Sequence, residues 1–281
     1  MDAGPGQPPV ASESVQSDLE RLQTEISQYP SLLVAFSGGV DSSLLLKVAH
    51  DVLGDHVVAA TVEGVTLPSG EADLARLFCE DYNIRHIELS IDELSFEGFA
   101  QNPPNRCYLC KREIFSALKE AACKLGIQTV AEGSNLDDMG DYRPGMKAVT
   151  ELGIVSPLRN AGLTKKRIRA CAKALGLKVW NKPSLACLAS RFAYGETLTK
   201  QKFEQVDAAE KCLRGLGLSQ VRVRVTGSDA RIEALPSEFD LLIHNDMPHI
   251  IGQTLKELGF THVSLDLLGY RTGSMNEGLT R

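Results

Sequence analysis

Between residues 37 and 42 the chain reads Ser-Gly-Gly-Val-Asp-Ser, two hydroxyls bracketing two glycines with an acid beside the second. The glycines leave backbone N–H groups free to turn toward one point, and a helix beginning there adds its dipole. Ser37, Ser42 and Ser43 add hydroxyl donors. Such a loop suits an oxyanion. Asp41 is poorly placed against a bare phosphate unless an amide network or a Mg2+ ion lies between them. No Gly-Lys-Ser/Thr follows, so this is not a Walker A loop. The bland alternative is a serine-glycine turn with a capping acid.

Cys107 and Cys110 form a CxxC after a Pro-Pro at the start of a helical pattern, and Cys187 follows in "KPSLACLASRF". A thioredoxin-type dithiol belongs in a different βαβ context. A structural zinc site wants four ligands, whereas only three loop-placed cysteines are present, without a nearby histidine. A 4Fe–4S cluster held by three thiolates leaves one iron open, and that count matches. Two thiols without a partner is the plain alternative. Cys79, Cys123, Cys171 and Cys212 lie inside helical patterns and read as small apolar residues.

A third group lies in "VRVRV". Strand side chains alternate, so Arg222 and Arg224 share a face, which suits a phosphate monoester accepting bidentate hydrogen bonds. A solvated face of a half-buried strand explains them equally well. Glu210 and Glu233 on neighbouring elements are placed to orient those arginines or to meet a substrate ring, and Asp240 is a weaker candidate of that kind. Gly133 and Ser134 follow the strand "TVAEG", at the edge where open sheets bind ligands. Asp137, Asp138 and Asp141 crowd one loop, a solvated turn or part of a magnesium site. Arg143 is a candidate for the α-phosphate of a nucleotide, and Glu63, directly after a strand, for its other side.

The elements that position these residues follow from hydrophobic period. "LLVAF" reads as a buried strand and "SSLLLKVAHDVLG" as a helix ending on a glycine cap. Strands are expected at 32–36, 57–62, 85–89 and 129–132, with helices between them, notably over 70–82 and 108–125. That alternation predicts a parallel α/β sheet with helices on both faces. The pattern changes after "CLASRFAYGETLT": a helix, the strand pair "QVRVRVTG" and "DARIEAL", a helix and a last strand predict a smaller α+β domain. The expected division is a disordered tail over 1–15, a nucleotide domain over 16–190 and a substrate domain over 191–281.

Composition narrows the class. The 281 residues are 43% hydrophobic, ample for two cores, and no apolar run reaches the ~18 residues of a bilayer span. The first residues lack the basic and apolar regions of a secretory signal, so a cytoplasmic protein is expected, and its seven cysteines read as thiols or metal ligands. A net charge of −6 gives no global attraction to nucleic acid.

The Ser37–Ser42 loop resembles the SGGxDS pyrophosphate loop of the PP-loop ATP pyrophosphatases. That resemblance implies an adenine nucleotide alpha hydrolase-like sheet, with ATP phosphates on Ser37, Gly38, Gly39, Asp41 and Ser42 and release of pyrophosphate. "DYRPG", "NKPS", "CLASRFAYGETLT" and "VRVR…ARIE" narrow it to the LarE family, from about residue 19 to the C-terminus. The family adenylates a carboxylate of pyridinium-3,5-biscarboxylic acid mononucleotide and replaces AMP with sulfur, in nickel-pincer cofactor biosynthesis. Some members sacrifice the sulfur of one cysteine; others ligate a 4Fe–4S cluster with three. Cys107, Cys110 and Cys187 imply the second group, and Arg222 and Arg224 the substrate phosphate. The resemblance further implies ATP, Mg2+, a sulfide or other sulfur donor, and a homo-oligomer. A tRNA thiolase of the same superfamily is the nearest rival, with the basic helix over 165–173 as its one RNA candidate. An amide-forming adenylating ligase leaves the three cysteines without work. A non-enzymatic nucleotide-binding protein or iron–sulfur carrier needs the loop to bind ATP without cleaving it.

Overall fold

The chain is described by a computed structural model covering residues 13–140, 144–184, 186–271 and 273–274. It begins with α1 (Glu13–Ile26), which starts inside the stretch expected to be a tail; residues 1–12 lie outside the described residues. The apolar run makes β1 (Leu32–Ala35), followed by α2 (Val40–Leu53), β2 (Val57–Glu63), α3 (Glu71–Asp81) and β3 (Arg85–Ser90). Then come α4 (Arg106–Lys124), β4 (Thr129–Ala131), α5 (Gly145–Glu151), the single turn α6 (Pro157–Asn160) and α7 (Lys165–Ala174). The chain continues through α8 (Lys200–Gly215), β5 (Val221–Thr226), β6 (Asp229–Ala234), α9 (Asp240–Ile243), α10 (Met247–Glu257) and β7 (His262–Leu265).

Two units separate. The first contains a four-stranded sheet in the order β3-β2-β1-β4, with every pairing parallel. The alternation of β1 explains its two-sided burial. Leu32 and Val34 pack among Leu22, Leu45, Ile168 and Cys171 from α1, α2 and α7, whereas Leu33 packs among Phe115, Leu118 and Val149 from α4 and α5. Strand order reverses between β1 and β4, so the turns leaving these two strands flank the crevice at which open sheets take ligands. This is the parallel α/β sheet expected from the sequence.

The second unit has a three-stranded sheet in the order β5-β6-β7, antiparallel at the first pairing and parallel at the second. Thr199 caps α8 by accepting from Lys202 N at 3.2 Å, and the helix buries Phe203, Val206, Ala209 and Leu213. Phe203 meets Phe192 edge-on at 5.6 Å between centroids. This unit is not a simple C-terminal domain: it comprises Leu185–Arg281 together with Gly64–Ser69 and Asp92–Arg106. The sequence division at 190/191 therefore differs from the structural one. The two early segments have little regular structure and no period to betray their allegiance; individual backbone and side-chain hydrogen bonds bind them instead, with Leu188 N donating to Thr66 O at 2.9 Å and Leu198 N to Ala100 O at 2.8 Å. Asn102, fully buried, donates to Ala193 O at 2.7 Å, and Glu93 accepts from Val65 N at 2.9 Å and Thr66 Oγ1 at 2.7 Å. Among the described residues no helix is long and apolar enough to cross a membrane.

Candidate active site

The Ser37–Ser42 loop leaves the C-terminal end of β1 and becomes the first turn of α2. Gly38 adopts φ +67°, a conformation that side chains resist. Gly39 is the N-cap of α2 and supplies no side chain to the first-turn N–H groups, so those donors are left for an anion. The loop is internally braced: Ser42 Oγ donates to Gly39 O at 3.2 Å and lies 3.2 Å from Ser37 Oγ. Gly133, on the turn leaving β4, lies against it. A Cβ there would come within 3.1 Å of Ser42 N and 3.3 Å of its Cα, so only glycine permits the approach.

Two lysines meet this loop. Lys165, the first residue of α7, pairs with Asp41, which also accepts from Asn135 Nδ2 at 3.5 Å. Lys182 donates to Gly38 O at 3.1 Å and to Glu71 Oε2 at 2.7 Å, and the Lys182 and Glu71 side chains are both largely buried. Arg169 in turn donates to the Lys182 carbonyl at 2.8 Å. The acidic loop is also committed: Asp137 accepts from Lys165 N at 2.8 Å and Asp138 from Asn135 N at 2.9 Å. Ser134 donates to the buried Glu132 at 2.7 Å, and Lys111 Nζ stands 4.0 Å from that carboxylate. Glu63 ends β2, half-exposed, with Arg76 at 3.7 Å. Arg143 and Asp141 lie outside the described residues.

In the second unit Arg222 and Arg224 are 3% and 7% exposed, which excludes a solvated strand face. Arg224 donates to Glu233 Oε2 at 2.9 Å, Ser190 O at 2.8 Å and Ser274 Oγ at 3.0 Å. Arg222 donates to Val221 O at 2.8 Å and stacks on Tyr270 at 5.3 Å. Arg191 joins them, fully buried against Glu210, itself fully buried. Among the described residues, three buried guanidinium groups and two buried carboxylates share this low-dielectric setting. Burial, and after it the charge of Arg191, pushes Arg222 down to about 10. Burial also pushes Arg224 down. Burial alone would raise Glu210, but the Arg191 hydrogen bond and charge, with Arg222 and Val223 N–H, hold it below the usual carboxylate value. Asp240 stands elsewhere, exposed and 3.2 Å from His244 Nε2.

The cysteines divide by environment. Cys79 and Cys171 are buried, and burial pushes their thiols up to about 12 and about 11. Cys123 is exposed, against the expectation that it packs, and Cys212 is half-buried. Cys107 and Cys187 are exposed, and Cys110 is half-buried. These three fit thiolate ligands by donor type and access. However, among the described residues no group of three His, Cys, Asp or Glu side chains is arranged to hold a metal ion. Cys107 and Cys110 fall in the first unit and Cys187 in the second. Within the second unit, Arg106, the residue before Cys107, donates to Asn102 Oδ1 at 2.7 Å and stacks on Tyr194 at 4.6 Å.

Sequence reasoning missed Lys165, Lys182, Glu132 and Arg191. Lys182 and Arg191 stand inside "NKPS" and "CLASRF", where a charged residue within a motif was the available signal. Lys165 was hidden in a basic helix that reads as a solvated or RNA-facing surface.

No family model matches the chain. The chain is 42% identical over 262 residues to the pyridinium-3,5-bisthiocarboxylic acid mononucleotide synthase of Lactiplantibacillus plantarum, covering 92% of this chain and 94% of that one. It is 40% identical over 267 residues to an uncharacterized protein of Synechocystis sp., covering 95% and 100%. The tRNA-specific 2-thiouridylase of Mycobacteroides abscessus is 34% identical over 188 residues, but only 54% of this chain and 52% of that one are covered. A glutamine-hydrolyzing GMP synthase polypeptide from Thermoplasma acidophilum is 28% identical over 182 residues, covering 59% and 58%.

Proposed function

Since the chain belongs to the LarE family within the PP-loop ATP pyrophosphatases, we propose that it inserts sulfur into pyridinium-3,5-biscarboxylic acid mononucleotide at the expense of ATP. The observation that carries this reading is the pair Arg222 and Arg224, side by side on β5 with Glu233 orienting one of them, which suits the phosphate of a mononucleotide. Arg222 and Arg224 take that phosphate, with Glu233 fixing Arg224 and Glu210 fixing its neighbours.

Ser37, Gly38, Gly39 and Ser42 receive the β and γ phosphates of ATP, and Asp41, paired with Lys165, is the residue of this loop that would hold Mg2+, which would offset the phosphate charge. Glu63 and Gly133 line the nucleotide side. A substrate carboxylate oxygen attacks the α phosphorus, the bond to the β phosphate breaks, and pyrophosphate leaves. Carboxylate oxygen is a poor leaving group, whereas AMP is a good one, so the acyl adenylate can exchange AMP for sulfur and become a thiocarboxylate. Cys187 is the residue to which we assign sulfur transfer, and Cys107 and Cys110 are the two further thiolates that would hold a cluster with it. A 4Fe–4S cluster bound by three cysteines supplies an open iron able to carry a replaceable sulfide. The enzyme acts as a homo-oligomer on a small molecule, with sulfide or another sulfur donor and without nucleic acid or membrane.

Incubation with ATP and the mononucleotide should yield AMP and pyrophosphate, with none released on bulk tRNA. ADP as the stoichiometric product, or release driven by tRNA, refutes the assignment. Anaerobically prepared protein should bind iron and turn over repeatedly with sulfide, and alanine at Cys107, Cys110 or Cys187 should remove both iron and thiolation while pyrophosphate release persists. A requirement for Cys187 alone, ending as dehydroalanine after one turnover, would replace the cluster with a sacrificial mechanism.

A further inference from the structure

The turn carrying Cys187 is tied down by one side chain. Arg191 Nη1 donates to Ala186 O at 2.7 Å, with Cys187 O at 3.2 Å and Ser190 Oγ at 3.0 Å also in reach. The other side of the same guanidinium, Nε and Nη2, donates to Glu210 Oε1 at 2.8 Å and Oε2 at 2.9 Å. Glu210 also accepts from Val223 N at 3.0 Å. The carbonyls flanking the thiol are thus connected through one rigid fork to α8 and to β5, the strand that bears Arg222 and Arg224. The far end of the turn is held from the same strand, where Arg224 donates to Ser190 O.

Neither partner of the Arg191–Glu210 pair is exposed at all, so no substrate reaches Arg191 and its hydrogen bonds are spent within the protein. A buried ion pair is a poor source of stability, because desolvation offsets its attraction. What a guanidinium supplies here, and a hydrophobic side chain would not, is a fixed fork with carboxylate on one edge and peptide carbonyls on the other. We infer that Arg191 is a positioning residue for Cys187, setting where its sulfur stands relative to the phosphate-binding strand without contacting substrate itself. This rests on the reading of Cys187 as the sulfur-donating residue.

The test uses the full chain with Arg191→Lys and Arg191→Gln, measuring three quantities in parallel. Pyrophosphate release driven by the mononucleotide should stay near the wild-type rate, whereas thiolated product should fall about 10- to 100-fold, the cost of misplacing a reacting group by about 1 Å. Hydrogen exchange at the Leu188 amide, which donates to Thr66 O at 2.9 Å, should quicken about tenfold, with amides inside β5 unchanged. Lysine retains the charge, so a defect shared by both variants reports geometry. Thiolation and pyrophosphate release falling together, or exchange rising equally in β5, would make Arg191 merely structural and overturn the inference. Unchanged thiolation would overturn it too. Cys187→Ala serves as the separate control: if that variant thiolates normally, the assignment of Cys187 is at fault, while the exchange measurement still judges the anchoring of its turn.

Discussion

Arg222 and Arg224 lie two residues apart on one strand, yet their removal should have unequal consequences for stability. Burial and the charge of Arg191 hold Arg222 down at about 10, so its proton is bound less tightly in the folded chain than in the unfolded one. The resulting penalty is on the order of 3 kcal/mol at neutral pH. Its sign is fixed by linkage: a cation with a depressed folded value carries the full cost at every pH well below about 10, relieved only as pH climbs toward the unfolded value. Methionine in its place removes that cost but forfeits the bond to Val221 O, ~1–2 kcal/mol, and the stack on Tyr270, ~1 kcal/mol. Arg222→Met should therefore destabilise clearly less than Arg224→Met in phosphate-free buffer. Arg224→Met instead leaves the fully buried Glu233 with the Ser274 hydroxyl and a half-exposed Arg231 at 3.5 Å. Breaking such a pair costs about 3–5 kcal/mol. Urea titration of the wild type and both variants reads these values directly. Adding inorganic phosphate at about a hundredfold its dissociation constant should stabilise the wild type by ~2.7 kcal/mol and neither variant appreciably. Equal destabilisation by the two substitutions, or phosphate stabilising Arg222→Met as it does the wild type, would refute the reasoning.

Lys182→Met should release the Gly38 carbonyl and lower substrate-driven pyrophosphate release by about tenfold or more, while Lys182→Arg should recover part of it; both are read by a coupled pyrophosphate assay. Gly133→Ala should lower the same rate with little change in the urea midpoint, because its Cβ would displace the Ser42 backbone. Iodoacetamide at mildly alkaline pH should modify Cys107, Cys123 and Cys187, but Cys79 and Cys171 only after unfolding, because burial keeps their thiols protonated up to about 12 and about 11. Peptide mass spectrometry decides between that order and a uniform one.

The sheet was legible because β1, β2 and β4 are short apolar runs, and glycines mark where chain direction must change. The nucleotide loop was legible for a similar reason: its chemistry is local, contained in six consecutive residues. The arginine strand was read only halfway. Period two placed Arg222 and Arg224 on one face, but their burial depends on α8 and on Arg191 from a distant turn, which no local pattern encodes. Lys165 and Asp41 meet across 124 positions, and a lysine in a basic helix carries no mark of its partner. The short segments around Glu93 and Asn102 were hidden most completely, since they join the second unit through isolated backbone and side-chain hydrogen bonds and not through any repeating pattern.

Those segments bear on how the chain reaches its native state. The bonds from Asn102 to Ala193 and Phe192 span 91 and 90 residues, so the second unit closes only after everything between them has been made. Loop closure on that scale is slow compared with pairing within the β5–β6 hairpin, and it couples the assembly of the late strands to a segment synthesised much earlier. A fragment starting at residue 191 would keep the hairpin but lose Asn102 and Ala100, and with them the partners of the turn at Ala193–Gly195 and of Leu198 N. Such a fragment should expose apolar surface and self-associate. The two units are thus separate in their contacts yet inseparable along the chain, and neither can be exchanged or inherited as an independent cassette.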